Sequence, residues 1–205
     1  MDHLIIAFDK ALRTLFLPAT SMRAHPDAHI VESKLSDEER KHAAGLMRVN
    51  HSGEICAQAL YQGQAATARD PAAKKALEQA AREEEEHLAW TAQRLHELGS
   101  HTSILNPVWY ISSLTIGIVA SVVGDKWNLG FLEETEKQVS QHLQSHLQKL
   151  PFQDAKSRAI VEEMYADEMQ HAQTAHALGA AELPAPIKTA MQFSARIMTT
   201  LSYHI

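Results

Sequence analysis

Residues 83–87 read Glu83-Glu84-Glu85-Glu86-His87, and residues 167–171 read Asp167-Glu168-Met169-Gln170-His171. Each stretch contains Glu-x-x-His, a spacing that sets both side chains on neighbouring positions of one helix surface. A single such motif is weak, because acidic helices contain it by chance. Here two occur, and each follows another glutamate at a similar distance. Glu54 lies 30 residues before Glu84, and Glu136 lies 32 residues before Glu168. Two helix pairs therefore carry one pattern: a Glu on the first helix, Glu-x-x-His on the second.

Helical phase decides which acids matter. With Glu84 at zero, Leu77, Leu88, Thr91, Leu95 and Leu98 fall within about 40°, and His87 at about −60°. Glu83, Glu85 and Glu86 point about 100° or more away and read as a solvated charged face. Around Glu168 the same window of about 40° holds Val161, Met164, Ala172 and Ala175, with Asp167, Glu162 and Glu163 off the face. Around Glu136 it holds Leu129, Leu132, Leu143, Leu147 and Leu150. Glu54 shares its face with Met47, Gln58, Tyr61 and Ala65, a less clean stripe.

Four glutamates thus point into one core. Buried carboxylates that close repel, and must be protonated, paired or metal-bound. No Lys or Arg lies on these stripes. Two divalent cations would neutralise four carboxylates and leave two imidazoles as further ligands, the recipe of ferritin-like di-metal bundles. Glu54, Glu84, His87, Glu136, Glu168 and His171 are the expected metal ligands. An oxygen-rich set with two imidazoles suits iron or manganese better than zinc, and iron fits redox work with O₂. Of the remaining histidines, His51 and His142 read as packed, exposed or lying behind the ligands.

The fold expected is all-α: a ferritin-like four-helix bundle at about residues 36–180, with residues 1–35 before it and a C-terminal amphipathic helix at 184–205, in one domain. The bundle helices have local start and stop signals. Ser36 with Glu39 forms a capping box, and Asp70-Pro71 ends one helix and begins the next. Gly99 and Gly179 mark stops, and Pro151 ends a third helix near Leu150. Leu4, Ile5, Phe8, Leu12, Leu15 and Phe16 follow a helical period, too short and too soon charged for a secretory signal. A polar connection spans 18–36.

The chain has 205 residues and a formal charge of −6 with scattered basic residues, which argues against nucleic acid as a partner. Its single cysteine, Cys56, excludes an internal disulfide and reads as a small packing residue. Residues 102–124 contain no Asp, Glu, Lys or Arg. A membrane span there would place Glu84 and Glu168 on opposite sides and destroy the site. The expectation is a crossover helix from Pro107 to Gly124, about 25 Å long, at a membrane interface, with buried core as the other reading. The terminal amphipathic segments add to that face or form a contact between copies in a homo-oligomer.

Arg48-Val49-Asn50-His51-Ser52-Gly53-Glu54, Tyr61-Gln62-Gly63-Gln64, Glu83 to His87 and Asp167 to His171 follow one another in order. Together they resemble the successive motifs of the demethoxyubiquinone hydroxylases, di-iron monooxygenases of ubiquinone biosynthesis. The likeness runs from about Leu35 to the end of the last motif, and it implies the same six ligands. It implies O₂ and a polyprenylated demethoxyubiquinol as substrates, two iron ions, a peripheral place on the cytoplasmic side of a bacterial cell membrane, and partner proteins of quinone biosynthesis. One departure is Leu143 after His142, where some members carry a tyrosine, which removes any role of that tyrosine in electron delivery here. With no glycine-rich nucleotide fingerprint, electrons come from outside: a nicotinamide, a partner or the quinol itself. The rival reading is iron storage or peroxide scavenging on the same bundle.

Overall fold

The structure, a computed structural model, describes the backbone of residues 2–205 and the side chains within it except those of residues 2–4 and 7. Leu4, counted above on the N-terminal apolar face, lies outside the described side chains. The described residues are helical, without a strand: α1 (Asp2–Phe16), α2 (Asp37–Thr67), α3 (Pro71–Glu97), α4 (Asn106–Val122), α5 (Asp125–Lys149), α6 (Ala155–Ala177) and α7 (Ala185–His204). Helices α2, α3, α5 and α6 form the bundle; α4 is the crossover, lying along α2, and α7 packs on α2 and α5.

The helix ends follow their local chemistry. The Ser36 hydroxyl accepts from the Glu39 amide, and Glu39 accepts from the Ser36 amide, closing the capping box. Asp70 caps α3 through the Ala72 amide at 2.8 Å. Asp154 caps α6 through the Ser157 amide at 3.1 Å. The chain leaves α3 and α6 through Gly99 and Gly179, both at positive φ, where a Cβ would be strained.

Two apolar plugs fill the bundle. One contains Leu46, Met47, Trp90, Leu95, Leu143, Ile160 and Met164. The other contains Leu60, Tyr61, Leu77, Leu129, Leu132 and Ala175. On every bundle helix the expected ligands fall between the segments that build the two plugs. The carboxylates are thus held in a layer walled by hydrocarbon at both ends. The less clean stripe of α2 has a simple cause: it is enclosed by α1, α3, α4, α5 and α7, so it is buried nearly all round from Ala43 to Gln64.

Helix α4 lies against α2 because two glycines remove the side chains between them. A Cβ on Gly117 would sit 2.2 Å from the Leu60 carbonyl oxygen, and one on Gly63 would sit 2.5 Å from that of Leu114. The outer face of α4 is apolar and exposed, with Ile111 at 63% and Val119 at 61%. Leu114 packs inward with Ile55, Leu88 and Tyr110. No helix among the described residues is long and apolar enough to cross a membrane.

The connection between α1 and α2 is pinned rather than loose. Arg94, fully buried on α3, donates to Glu32 of the connection, to Glu97 and, at 2.9 Å, to Asp154 of α6. Such a buried cation is tolerable because each nitrogen finds an acceptor.

Candidate metal centre

All six residues expected as ligands converge. Glu54, Glu84, His87 and Glu168 present ligand atoms within 4.8 Å of one another, and so do Glu84, Glu136, Glu168 and His171. The two groups share Glu84 and Glu168, and the individual oxygens show how. His87 Nδ1 faces Glu84 Oε2 at 3.1 Å, Glu168 Oε1 at 3.3 Å and Glu54 Oε2 at 3.5 Å. His171 Nδ1 faces Glu168 Oε2 at 3.0 Å, Glu136 Oε1 at 3.4 Å and Glu84 Oε1 at 3.8 Å. Glu84 and Glu168 each turn one oxygen to either histidine. They are the two acids common to both groups, whereas Glu54 and Glu136 each belong to one.

The far nitrogens of the histidines are held too. His87 Nε2 meets Asp167 Oδ2 at 3.0 Å, and His171 Nε2 meets Glu83. Each Nε2–H donated outward turns Nδ1 toward the carboxylates, so that a metal displacing the Nδ1 proton would meet the lone pair it needs. This corrects the reading of Glu83 and Glu86 as solvated charges, and gives Asp167, expected only to lie off the ligand face, a partner on α3. Only Glu85 of that run is exposed; Glu83 reaches across to α6, Asp167 reaches across to α3, and Glu86 accepts the amides of Met22 and Arg23. Phase within one helix placed them off the ligand face correctly. The neighbouring helix and the 18–36 connection cover the direction in which they point.

The electrostatics are those of a site built for cations. Burial and the charges of Glu168 and Glu54 raise Glu84 well above the usual carboxylate range. Burial and Glu168 push Glu136 up to about 8. Burial opposes ionising Glu168, but the bonds from His171 and His87 prevail and hold it at about 2. Burial also disfavours charged histidine, yet bonds to Asp167 and Glu168 keep His87 well above its ordinary value, and bonds to Glu136 and Glu168 do the same for His171. Protons on carboxyls and imidazoles do here what metal ions would do. Glu84 Oε1 and Glu136 Oε2 remain buried with no hydrogen-bond partner. Orphaned carboxylate oxygens with no Lys or Arg among them fit metal binding. Tyr61, which the sequence places on the Glu54 face and in the second family motif without a role, donates its hydroxyl to Glu136. Burial and the carboxylates raise its pKa well above normal, so it stays a donor.

A cavity of about 650 Å³ adjoins the cluster. Glu54 and Cys56 of α2, Ile116 of α4, His142 of α5, and Met191 and Ile197 of α7 are among its walls. The cavity was not foreseen, because four helices distant in sequence build it. Cys56 behaves as a packing residue: burial pushes its thiol up to about 11, which leaves it un-ionised. His51 and His142 stand outside the cluster, and burial lowers each to about 4. His142 packs against His146 with ring centroids 4.0 Å apart.

Comparison with known proteins gives a single picture. The family model described as "Ubiquinone biosynthesis protein COQ7" matches residues 33–202. A protein of Chromobacterium violaceum named 3-demethoxyubiquinol 3-hydroxylase is 64% identical over the full length of both chains. Proteins of the same name from Laribacter hongkongensis, at 62% over both full chains, and Nitrosomonas europaea, at 58% over all of this chain and 99% of that one, are similar to the same extent.

Proposed function

The chain belongs to the ubiquinone biosynthesis protein COQ7 family, and from that premise we propose that it hydroxylates the ring of a polyprenylated demethoxyubiquinol with O₂ at a di-iron centre. The observation that carries the reading is the pair of four-residue groups sharing Glu84 and Glu168 beside an apolar cavity. Glu54, Glu84, His87 and Glu168 would hold one iron, and Glu84, Glu136, Glu168 and His171 the other. When bound, the iron pair would pass to O₂ the two electrons per turnover that an outside donor supplies, and would supply the Lewis acidity that O₂ reduction needs.

The chain's own residues do the rest. Asp167 and Glu83 accept the Nε2 protons and so hold both imidazoles in the ligating tautomer. Tyr61 keeps its proton and donates to Glu136, stabilising that carboxylate. The two apolar plugs exclude water from the layer between them. Glu54 stands in the cavity wall, so a quinol ring seated there meets the cluster from the Glu54 side. The tail would leave between α4 and α7, which contribute Ile116 and Ile197, both partly exposed.

The exposed apolar face of α4, with Phe193 and Ile197 of α7 and Phe8 and Leu12 of α1, supports seating on a membrane surface from one side. In a bacterium that surface would be the cytoplasmic face of the cell membrane. An iron-storage or peroxide-scavenging role has no use for the cavity or that face.

The test is lipid extraction from a strain lacking the chain. It should accumulate the demethoxy quinone, and the intact gene but not a Glu84→Ala variant should restore the mature quinone. Normal quinone in the deletion strain, with a defect only in iron storage, would refute the reading.

A further inference from the structure

The two halves of the cluster match in ligands but not in what stands behind them. Behind His87 lies the segment Ser21–Arg23. Its Arg23 guanidinium donates to Asp167 at 2.6 Å and to Glu163, and Asp167 accepts from His87 Nε2. The same guanidinium lies over the Trp90 ring, 4.9 Å from its centroid, and Trp90 packs against the His87 ring at 5.3 Å. The segment is itself fastened: the Met22 and Arg23 amides and the Ser21 hydroxyl all donate to Glu86, while Trp90 Nε1 donates to the Ser21 hydroxyl at 3.1 Å. The Met22 side chain points out to solvent while its amide points in.

Nothing equivalent stands behind His171. Its Nε2 partner Glu83 is partly exposed, and the other bond to Glu83 comes from the exposed Gln79 amide at 2.6 Å. Among the described residues no Lys or Arg bonds Glu83 directly and no aromatic ring packs on His171; Arg82 reaches Glu83 only through Gln79, to which it donates at 2.7 Å.

We propose that Ser21–Arg23 is a strap that clamps the His87 half of the centre, with Arg23 as a positioning residue acting through Asp167, and that it makes the two metal positions kinetically unequal. This rests on the di-metal reading above. For a metal to leave the His87 position, the imidazole must swing aside, which means breaking Asp167 from Arg23 or sliding the ring along Trp90. At the His171 position the imidazole need only carry with it a partly exposed glutamate that no cation bonds directly. Partners of metal-bound histidines typically change metal retention by about 10–100-fold.

The experiment uses the full-length chain loaded anaerobically with ferrous iron, and follows extraction by a chromophoric ferrous chelator. The wild type should release iron in two phases of equal amplitude, at least about tenfold apart in rate. Arg23→Gln should accelerate the slow phase about tenfold and leave the fast phase within about twofold. Glu83→Gln should do the converse, accelerating only the fast phase. Arg23→Lys keeps the charge but cannot fork between Asp167 and Glu163, and should fall between wild type and Arg23→Gln. Mössbauer spectra of the ⁵⁷Fe-loaded protein after the fast phase should retain one of two quadrupole doublets. Thermal unfolding of the metal-free variants separates local from global loosening. A single wild-type phase, an unchanged slow phase in Arg23→Gln, or equal acceleration of both phases would overturn the strap. A wild-type chain that binds no iron would remove the di-metal reading and the strap with it.

Discussion

The four bundle helices and the crossover helix invert one another. Within the bundle, Glu84 and Glu136 are buried almost completely, surrounded by leucines. On α4, Ile111, Val119 and Val122 face outward with more than half of their surface free. Folding alone would place these groups the other way round, since buried charge is costly and contiguous exposed hydrocarbon is unfavourable. Each inversion therefore supports one half of the proposal: cations inside, an apolar phase outside.

The inner inversion is the easier to break, with the largest effect. Glu84→Ala or Glu168→Ala removes a bridge used by both positions, and iron after anaerobic loading should fall from about two per chain to none detectable. Glu85→Ala, one residue along on the exposed face, should leave metal content unchanged. Metal analysis on the three variants decides it, and equal losses at 84 and 85 would mean the assigned helix phase is wrong.

The seam joining inner and outer regions comes next. Gly117→Leu forces a side chain into the Leu60 carbonyl and should destabilise the chain by about 3 kcal/mol in urea unfolding. Gly53→Ala meets nothing within 4 Å and should stabilise α2 by about 0.5–1 kcal/mol. Gly53 also lines the cavity, so that variant should raise KM for the quinol without loss of iron.

A smaller effect tests the interior away from the metals. Burial, with the nearby His142, depresses His146 from 6.5 to about 2. A histidine held neutral in the fold contributes stability that is complete above pH 6.5 and declines as pH falls below it. At pH 5 the loss is about 2 kcal/mol, read as the difference in urea midpoint between pH 7 and pH 5. His146→Leu should remove that share of the dependence and leave the shares of His51 and His142, which burial also depresses, and an unchanged slope would show that the His146 imidazole does not contribute.

The outer inversion should yield the mildest change. Ile111→Lys or Val119→Lys should weaken binding to lipid vesicles several-fold, each removing an apolar contact worth about 1.5–3 kcal/mol at most. Iron content and turnover of a short-tailed, water-soluble quinol should stay near wild type. Leu114 is unsuitable for this comparison, because it packs inward against Tyr110. Undiminished vesicle binding in both lysine variants would detach α4 from the membrane reading.

Much of this architecture is legible before any coordinates. Start and stop signals such as Ser36 with Glu39, or Asp70 with Pro71, act within one helical turn, so they read correctly from the chain alone. The same holds for ligand phase: rotation of roughly 100° per residue relates Glu84 to its own helix's leucines without reference to any other helix. The gathering of the six expected ligand residues and the four-helix arrangement follow from those two local rules and the requirement that buried carboxylates be neutralised.

What lies between helices was decided only by tertiary structure. Arg23 meets Asp167 across 144 positions of sequence, and Glu83 meets His171 across 88. Whether an acid just off the ligand face ends in water or on a neighbouring imidazole depends on helix crossing and on where the connection lies, and neither leaves a periodic trace. The cavity beside Glu54 arises in the same way, from gaps among α2, α4, α5 and α7. The chain alone therefore determined which residues gather. The packing decided which carboxylates the two groups share, what stands behind each histidine and on which side the cavity opens beside Glu54, because those properties belong to pairs of surfaces rather than to any one helix.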